Sequence, residues 1–188
     1  VVATNYFTIV GPAADPARVR EARDAAEALR RIAGTGAGFV SRGDSSGTNA
    51  RELALWRKSG RRPTWPGYVE TGQGMAATLL VANQRRAYTL TDRATFGFLK
   101  THLDLVALRE RDPDLLNVYH VIELNPAGHV RMNVEGGRAF ADFVVSPAMQ
   151  EYLAHFGEAQ SGEPLFVPAL GKEPEREAGA RGEGRGAS

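Results

Sequence analysis

Ser41-Arg42-Gly43-Asp44-Ser45-Ser46-Gly47-Thr48 is the stretch on which the reading of this chain turns. It follows Phe39-Val40, an apolar pair with strand character. It precedes Asn49-Ala50-Arg51-Glu52-Leu53-Ala54-Leu55-Trp56, a pattern that predicts a helix running to Ser59 and closed by Gly60. A strand-to-helix turn aims the unpaired N–H groups of the helix start, and their partial positive charge, at whatever lies above it. Gly47 permits close approach of backbone to ligand, and Ser41, Ser46 and Thr48 carry hydroxyls. Arg42 adds a planar fork that can bond two oxygens of a tetrahedral anion, and Asp44 stands where it can hold that fork. The plainer reading, a capped helix and nothing more, fits any one of these residues. Their concentration at one helix start favours a ligand. Gly43-Asp44-Ser45-Ser46-Gly47 can also be read as a serine-hydrolase nucleophile loop. The histidines do not support it: His102, His120, His129 and His155 all lie late and outside any catalytic context, and His120 sits in an apolar run that suggests a core position.

On the N-terminal side, Tyr6-Phe7-Thr8-Ile9-Val10 reads as a buried strand ended by Gly11-Pro12. Asp15-Pro16 predicts a helix start, with Val19, Ala22, Ala26, Leu29 and Ala33 at helical spacing as far as Gly34-Thr35-Gly36. On the C-terminal side come a short strand at residues 68–70 and Thr71-Gly72-Gln73-Gly74 leading into a helix from Met75 to about Asn83. A strand at residues 87–90 and a helix capped by Thr91-Asp92 follow. Residues 105–108 and 118–122 read as strands, and helices are expected from Asn133 to Val145 and from Ser146-Pro147 to Gly157. Strands alternating with helices predict an α/β fold with a mainly parallel sheet. From residue 169 the apolar content falls away; Lys172 to Ser188 holds four basic residues, four acidic residues and four glycines, and a disordered tail is expected there.

The bulk numbers exclude several classes. A net charge of +1 over 188 residues argues against nucleic-acid binding by bulk electrostatics. The absence of cysteine removes disulfides, thiolate metal sites and thiol nucleophiles. No apolar run reaches the ~18 residues of a membrane span. The opening Val1-Val2-Ala3-Thr4 shows neither Met nor a signal peptide, so the natural start of the protein is expected further upstream.

Taken in order, the motifs YFTIVGPAADPA, SRGDSSGT with NARELALW, YVETGQGMAATLLVA, AYTLTDRATF, NVYHVIELNP, FADFVVSPAMQEYLAHFG and LFVP cover most of residues 4–168. They resemble the tungstate-binding proteins of ABC transporters, in the phosphate-binding-like branch of the periplasmic-binding-protein superfamily. The resemblance implies a two-lobed, hinged α/β fold that closes on a bare oxyanion, tungstate or molybdate, with no cofactor, no metal cation and no catalysis. It implies Arg42, Ser46, Gly47 and Thr48 as ligand donors, with Ser41 beside them, Asp44 orienting Arg42, and Thr71 and Gly72 opening a second motif toward the cleft. It also implies ABC permease subunits as partners and a periplasmic or extracellular location, with a lipid anchor as one form of attachment. None of those donors titrates between about pH 6 and 9, so binding is expected to be flat there.

Within that family, residues 6–10 would be the first hinge crossing and residues 118–124 the return. Residues 11–117 would then form one lobe, and residues 118–168 the return strand and C-terminal part of the other, which this chain would leave incomplete. Phe140, Phe143 and Leu153 are expected to expose apolar surface that their sheet would otherwise cover. The alternative to a transport receptor is an oxyanion-sensing module of a regulatory protein.

Overall fold

A single long strand, β1 (Ala3–Pro12), organises the molecule, whose computed structural model describes residues 1–125 and 132–170. The first residues of β1 pair antiparallel with β6 (Leu116–Tyr119) on one edge and with β7 (Val167–Pro168) on the other. From Phe7 onward the partners change to β4 (Thr89–Asp92) and β5 (Leu105–Arg109), again antiparallel, with a bulge between Ile9 and Val10. One strand thus serves two sets of neighbours, as a hinge crossing requires. It also continues through Gly11 and Pro12 instead of ending there. Gly11 is needed because the Tyr88 ring lies across it: a Cβ at that position would sit 2.4 Å from Tyr88 Cδ1.

Beyond β4, the strands β2 (Phe39–Ser41) and β3 (Tyr68–Glu70) run parallel, and Tyr88 bridges to Phe39 in the same sense. Parallel pairing is confined to this part, so the sheet is not mainly parallel. A β-α alternation in sequence does not reveal that β1 enters against the direction of its neighbours. Adjacent residues of each strand point to opposite faces. Ile9 and Phe39 join the core under α1 (Ala25–Thr35) and α2 (Gly47–Ser59), while Val10 and Val40 join the core under α3 (Met75–Arg85). The result is a sheet covered on both faces.

Two expectations fail for the same kind of reason. No helix starts at Asp15-Pro16. Asp15 has φ 44°, and its carboxylate accepts from Val19 N at 2.9 Å, from Arg20 N at 3.0 Å and from the buried Tyr88 hydroxyl at 3.0 Å. A distant phenol needing an acceptor recruits this aspartate, and α1 begins instead at Ala25, where Asp24 accepts from Glu27 N at 2.7 Å. The strand expected at residues 118–122 lies earlier, at Leu116–Tyr119. Ala3 already pairs with Tyr119, so β1 offers nothing further along; His120 is exposed instead of buried, and Ile122 is 79% exposed.

The later helices are α4 (Arg93–Leu99), α5 (Val134–Val144), α6 (Pro147–His155) and α7 (Glu158–Ser161). Asp92, Asn133 and Ser146 cap the first three through their side chains, as their positions in sequence suggest. Phe140 and Phe143 are 62% and 57% exposed, whereas Leu153 is buried at 8% against the expectation for it. His129 and the tail from residue 171 lie outside the described residues.

Candidate functional site

β2 and β3 end level with each other, Ser41 opposite Glu70, and each feeds a loop into a helix start. The backbone pairing carries on one step, with Thr71 N donating to Ser41 O at 3.0 Å. The Thr71 hydroxyl lies within reach of Ser41 O at 3.2 Å and Arg42 O at 3.3 Å, and it contacts Thr78 Oγ1 at 2.9 Å. Thr71 therefore fastens the two loops together. Gly72, at φ 65°, is exposed at the start of the α3 loop. This edge, at the carboxyl ends of parallel strands with helices leading away, is where open α/β sheets place ligands.

The loop at residues 42–46 is held by its own polar groups. Arg42 Nη2 donates to Asp44 Oδ2, and the other oxygen of Asp44 accepts from Ser46 N at 3.2 Å. Hydrogen bonds from Ser46 and then Arg42 lower the Asp44 pKa below the usual carboxylate range. Gly43, at φ 59°, lets the loop turn against Glu70; a Cβ there would fall 2.9 Å from Glu70 Cβ. The Ser46 hydroxyl accepts from Asn49 N at 3.2 Å and so caps α2. The N–H groups of Gly47 and Thr48, in the first turn of α2, have no partner among the described residues, and no atom lies within 4 Å of the point where a Gly47 Cβ would be. Arg42 Nε is shielded from solvent and also without a partner. Free donors on a fixed guanidinium and on a helix start suit an anion with several oxygens.

Ser41 lies beneath this loop, not on its face. It is fully buried, and its hydroxyl donates to Glu52 Oε2 at 2.8 Å. Glu52 is 2% exposed, and its other oxygen accepts from Trp56 Nε1 and from the Tyr68 hydroxyl, both at 3.0 Å. Burial pushes this carboxyl up to about 7 despite its three donors, and Glu70 adds to the rise. Sequence reading overlooked Glu52. Its signal was there: Thr48, Glu52, Leu55, Trp56 and Ser59 share the buried face of α2, and an acid on such a face needs partners.

Other candidate groups lie elsewhere. His102 contacts Thr101, and His155 contacts Glu151 and Glu158. Among the described residues no group of three or more His, Cys, Asp or Glu could hold a metal ion, and no helix is long and apolar enough to cross a membrane. A cavity of about 560 Å³, distant in sequence from the loop, lies between residues 119–124 and α5, lined by Tyr119, Ile122, Leu124, Val134 and Phe140 among others.

The model of the PBP superfamily domain matches residues 1–148. The chain belongs to the PBP superfamily. Within that superfamily it is similar to the tungstate-binding protein TupA of Peptoclostridium acidaminophilum, 39% identical over 170 residues that make up 89% of this chain and 59% of the relative. It is 41% identical to a putative ABC transporter anion-binding protein of Haloferax volcanii, over 91% of this chain and 51% of the relative. The solved tungstate-binding protein TupA of Desulfovibrio alaskensis G20 superposes with a TM-score of 0.69 at 36% identity, covering 88% of this chain and 68% of that one. The chain thus spans between half and three-fifths of the length of these curated relatives. A PBP-superfamily assignment accounts for the hinge-like use of β1 and for the helix starts gathered at one sheet edge.

Proposed function

We propose that this chain carries the oxyanion-binding lobe of an extracytoplasmic solute-binding protein, which captures tungstate or molybdate and delivers it unchanged to the permease of an ABC transporter. The observation that carries this reading is the set of unpaired donors on one strand-to-helix connection: Gly47 N and Thr48 N at the start of α2, and Arg42 Nε on a guanidinium that Asp44 holds in place. Arg42, Ser46, Gly47 and Thr48 are the ligand donors in this reading. Thr71 and Gly72 form the neighbouring wall, and Ser41 supports the loop from below. The names of the relatives support tungstate as the anion, and a periplasmic or extracellular location belongs to the same reading.

Residues 11–117 form one lobe, and residues 118–168 belong to the second. Nanomolar capture needs about 12 kcal/mol, and each hydrogen bond to a charged group contributes about 1.5–3 kcal/mol before the cost of association. The donors on this loop therefore amount to about half of a tight site. Polypeptide outside this sequence supplies the rest and covers Phe140 and Phe143. Calorimetry of the full-length protein with tungstate, molybdate, phosphate and sulfate tests the proposal. Nanomolar tungstate or molybdate binding with weak phosphate and sulfate binding is expected; the reverse preference would sink it.

A further inference from the structure

Resting on that reading, we infer that Glu52 is a positioning residue beneath the anion loop and that its carboxyl takes up a proton when a dianion binds above it. The connection runs through hydrogen bonds. Glu52 Oε2 accepts from Ser41 Oγ, which accepts from Asn49 Nδ2 at 3.4 Å, and Asn49 N donates to the capping hydroxyl of Ser46. The carboxylate thus holds both ends of the loop, the last residue of β2 and the first turn of α2.

All three partners of Glu52 act as donors, which suits the ionised form. A proton on Glu52 nevertheless has somewhere to point. The Tyr68 hydroxyl lies 3.0 Å from Glu52 Oε1 and 3.4 Å from Glu70 Oε1, and it has one proton to give. Burial and the two carboxylates hold that phenol well above its usual pKa, so it stays protonated. When Glu52 is protonated it donates to Tyr68 Oη, and Tyr68 turns its own proton to Glu70 at the exposed rim. The buried acid is thereby connected to solvent without an unpaired group.

The charges around Glu52 leave it to respond. Glu70 on β3 faces it and disfavours ionisation. Cations on the elements around it have partners of their own: Arg42 with Asp44, Arg51 with Leu116 O, Lys58 with Asp114, and, on α1, Arg31 with Glu27 and Glu21. Asp92 on β4 caps α4. A dianion on the loop adds like charge above a carboxyl already near 7, so the bound state favours the protonated acid. By linkage, affinity falls as pH rises through neutrality, in contrast to the flat profile expected from Arg42 and the hydroxyls alone.

The test is calorimetry of sodium tungstate binding to the full-length protein from pH 6.5 to 8.5, in buffers of different ionisation heat, for wild type and Glu52→Gln. Wild type is expected to take up a fraction of a proton near pH 7.5 and to lose affinity roughly tenfold over the range. Glu52→Gln is expected to bind with no slope. Tungstate binding without proton uptake, or an unchanged slope in Glu52→Gln, overturns the role of Glu52 and leaves the oxyanion reading intact. No tungstate binding at any pH removes both. If Glu52→Gln does not fold, infrared difference spectra of wild type decide: a protonated-carboxyl carbonyl band appearing with tungstate at pH 7.5 supports the inference, and its absence overturns it.

Discussion

The region around β2 and the region around α5 treat their aromatic residues in opposite ways. Phe39 is fully buried, edge-on to Trp56 at 5.2 Å and stacked on Tyr68 at 5.9 Å, with the loop at residues 42–46 beginning three residues later. Phe140 and Phe143 sit on the amphipathic helix α5, each more than half exposed, and Phe140 lines a cavity of about 560 Å³. Exposed aromatic faces of this kind mark surface that a partner or another part of the same fold covers. The first region is a finished core with the loop between β2 and α2 on its rim. The second leaves an apolar helix face in water.

The largest effect should come from damage to the finished side. Phe39→Ala removes a ring packed on all sides and is expected to cost about 3–5 kcal/mol, read by chemical denaturation. A loss below about 1 kcal/mol would show that this core is not the stable unit. The buried acid gives the next effect. The folded pKa of Glu52, about 7, lies above the ordinary 4.5, so its contribution to stability is present below pH 4.5 and lost as pH rises toward 7. Between those limits the loss attributable to Glu52 is about 3 kcal/mol. Denaturation at pH 5 and pH 8 should show that slope in the wild type and not in Glu52→Gln.

Binding sharpens the contrast further. Residues 1–188 alone should bind tungstate at least about a hundredfold more weakly than the full-length protein, because water and salt reach an anion held by one lobe. Nanomolar affinity from this chain alone would place the whole site within it. Arg42→Ala in the full-length protein should cost about 2 kcal/mol, near thirtyfold, and Arg42→Lys should recover little, since a point charge does not fork across two oxygens. Affinity within threefold of wild type would take Arg42 out of the site. The smallest effect belongs to the unfinished side: Phe143→Ser should change the stability of this chain by no more than about 0.5 kcal/mol.

What could be read from sequence was what local chemistry decides. The stop at Gly60 and the cap at Asp92 each depend on a few adjacent residues, and both stand as read. The concentration of Arg42, Asp44, Ser46 and Gly47 was visible for the same reason. Asp15 was misread because its partner, Tyr88, lies 73 residues away. The direction of β1 was misread because pairing sense depends on neighbours that the pattern does not name. Glu52 was overlooked because a charged residue on a helix is ordinarily solvated; only the aromatic ring of Trp56 and the hydroxyls of Ser41 and Tyr68 around it make it a buried acid. Tertiary partners, not local propensity, decided each of these.

The claim that the loop between β2 and α2 holds the oxyanion is tested most directly by tungsten itself. Crystals of the full-length protein grown with sodium tungstate, measured near the tungsten absorption edge, would locate the metal by its anomalous scattering. The account predicts one strong peak whose oxygens meet Arg42 Nε and the N–H groups of Gly47 and Thr48. A peak in the cavity beside α5, or a tungstate bound with no contact to residues 42–48, would contradict it.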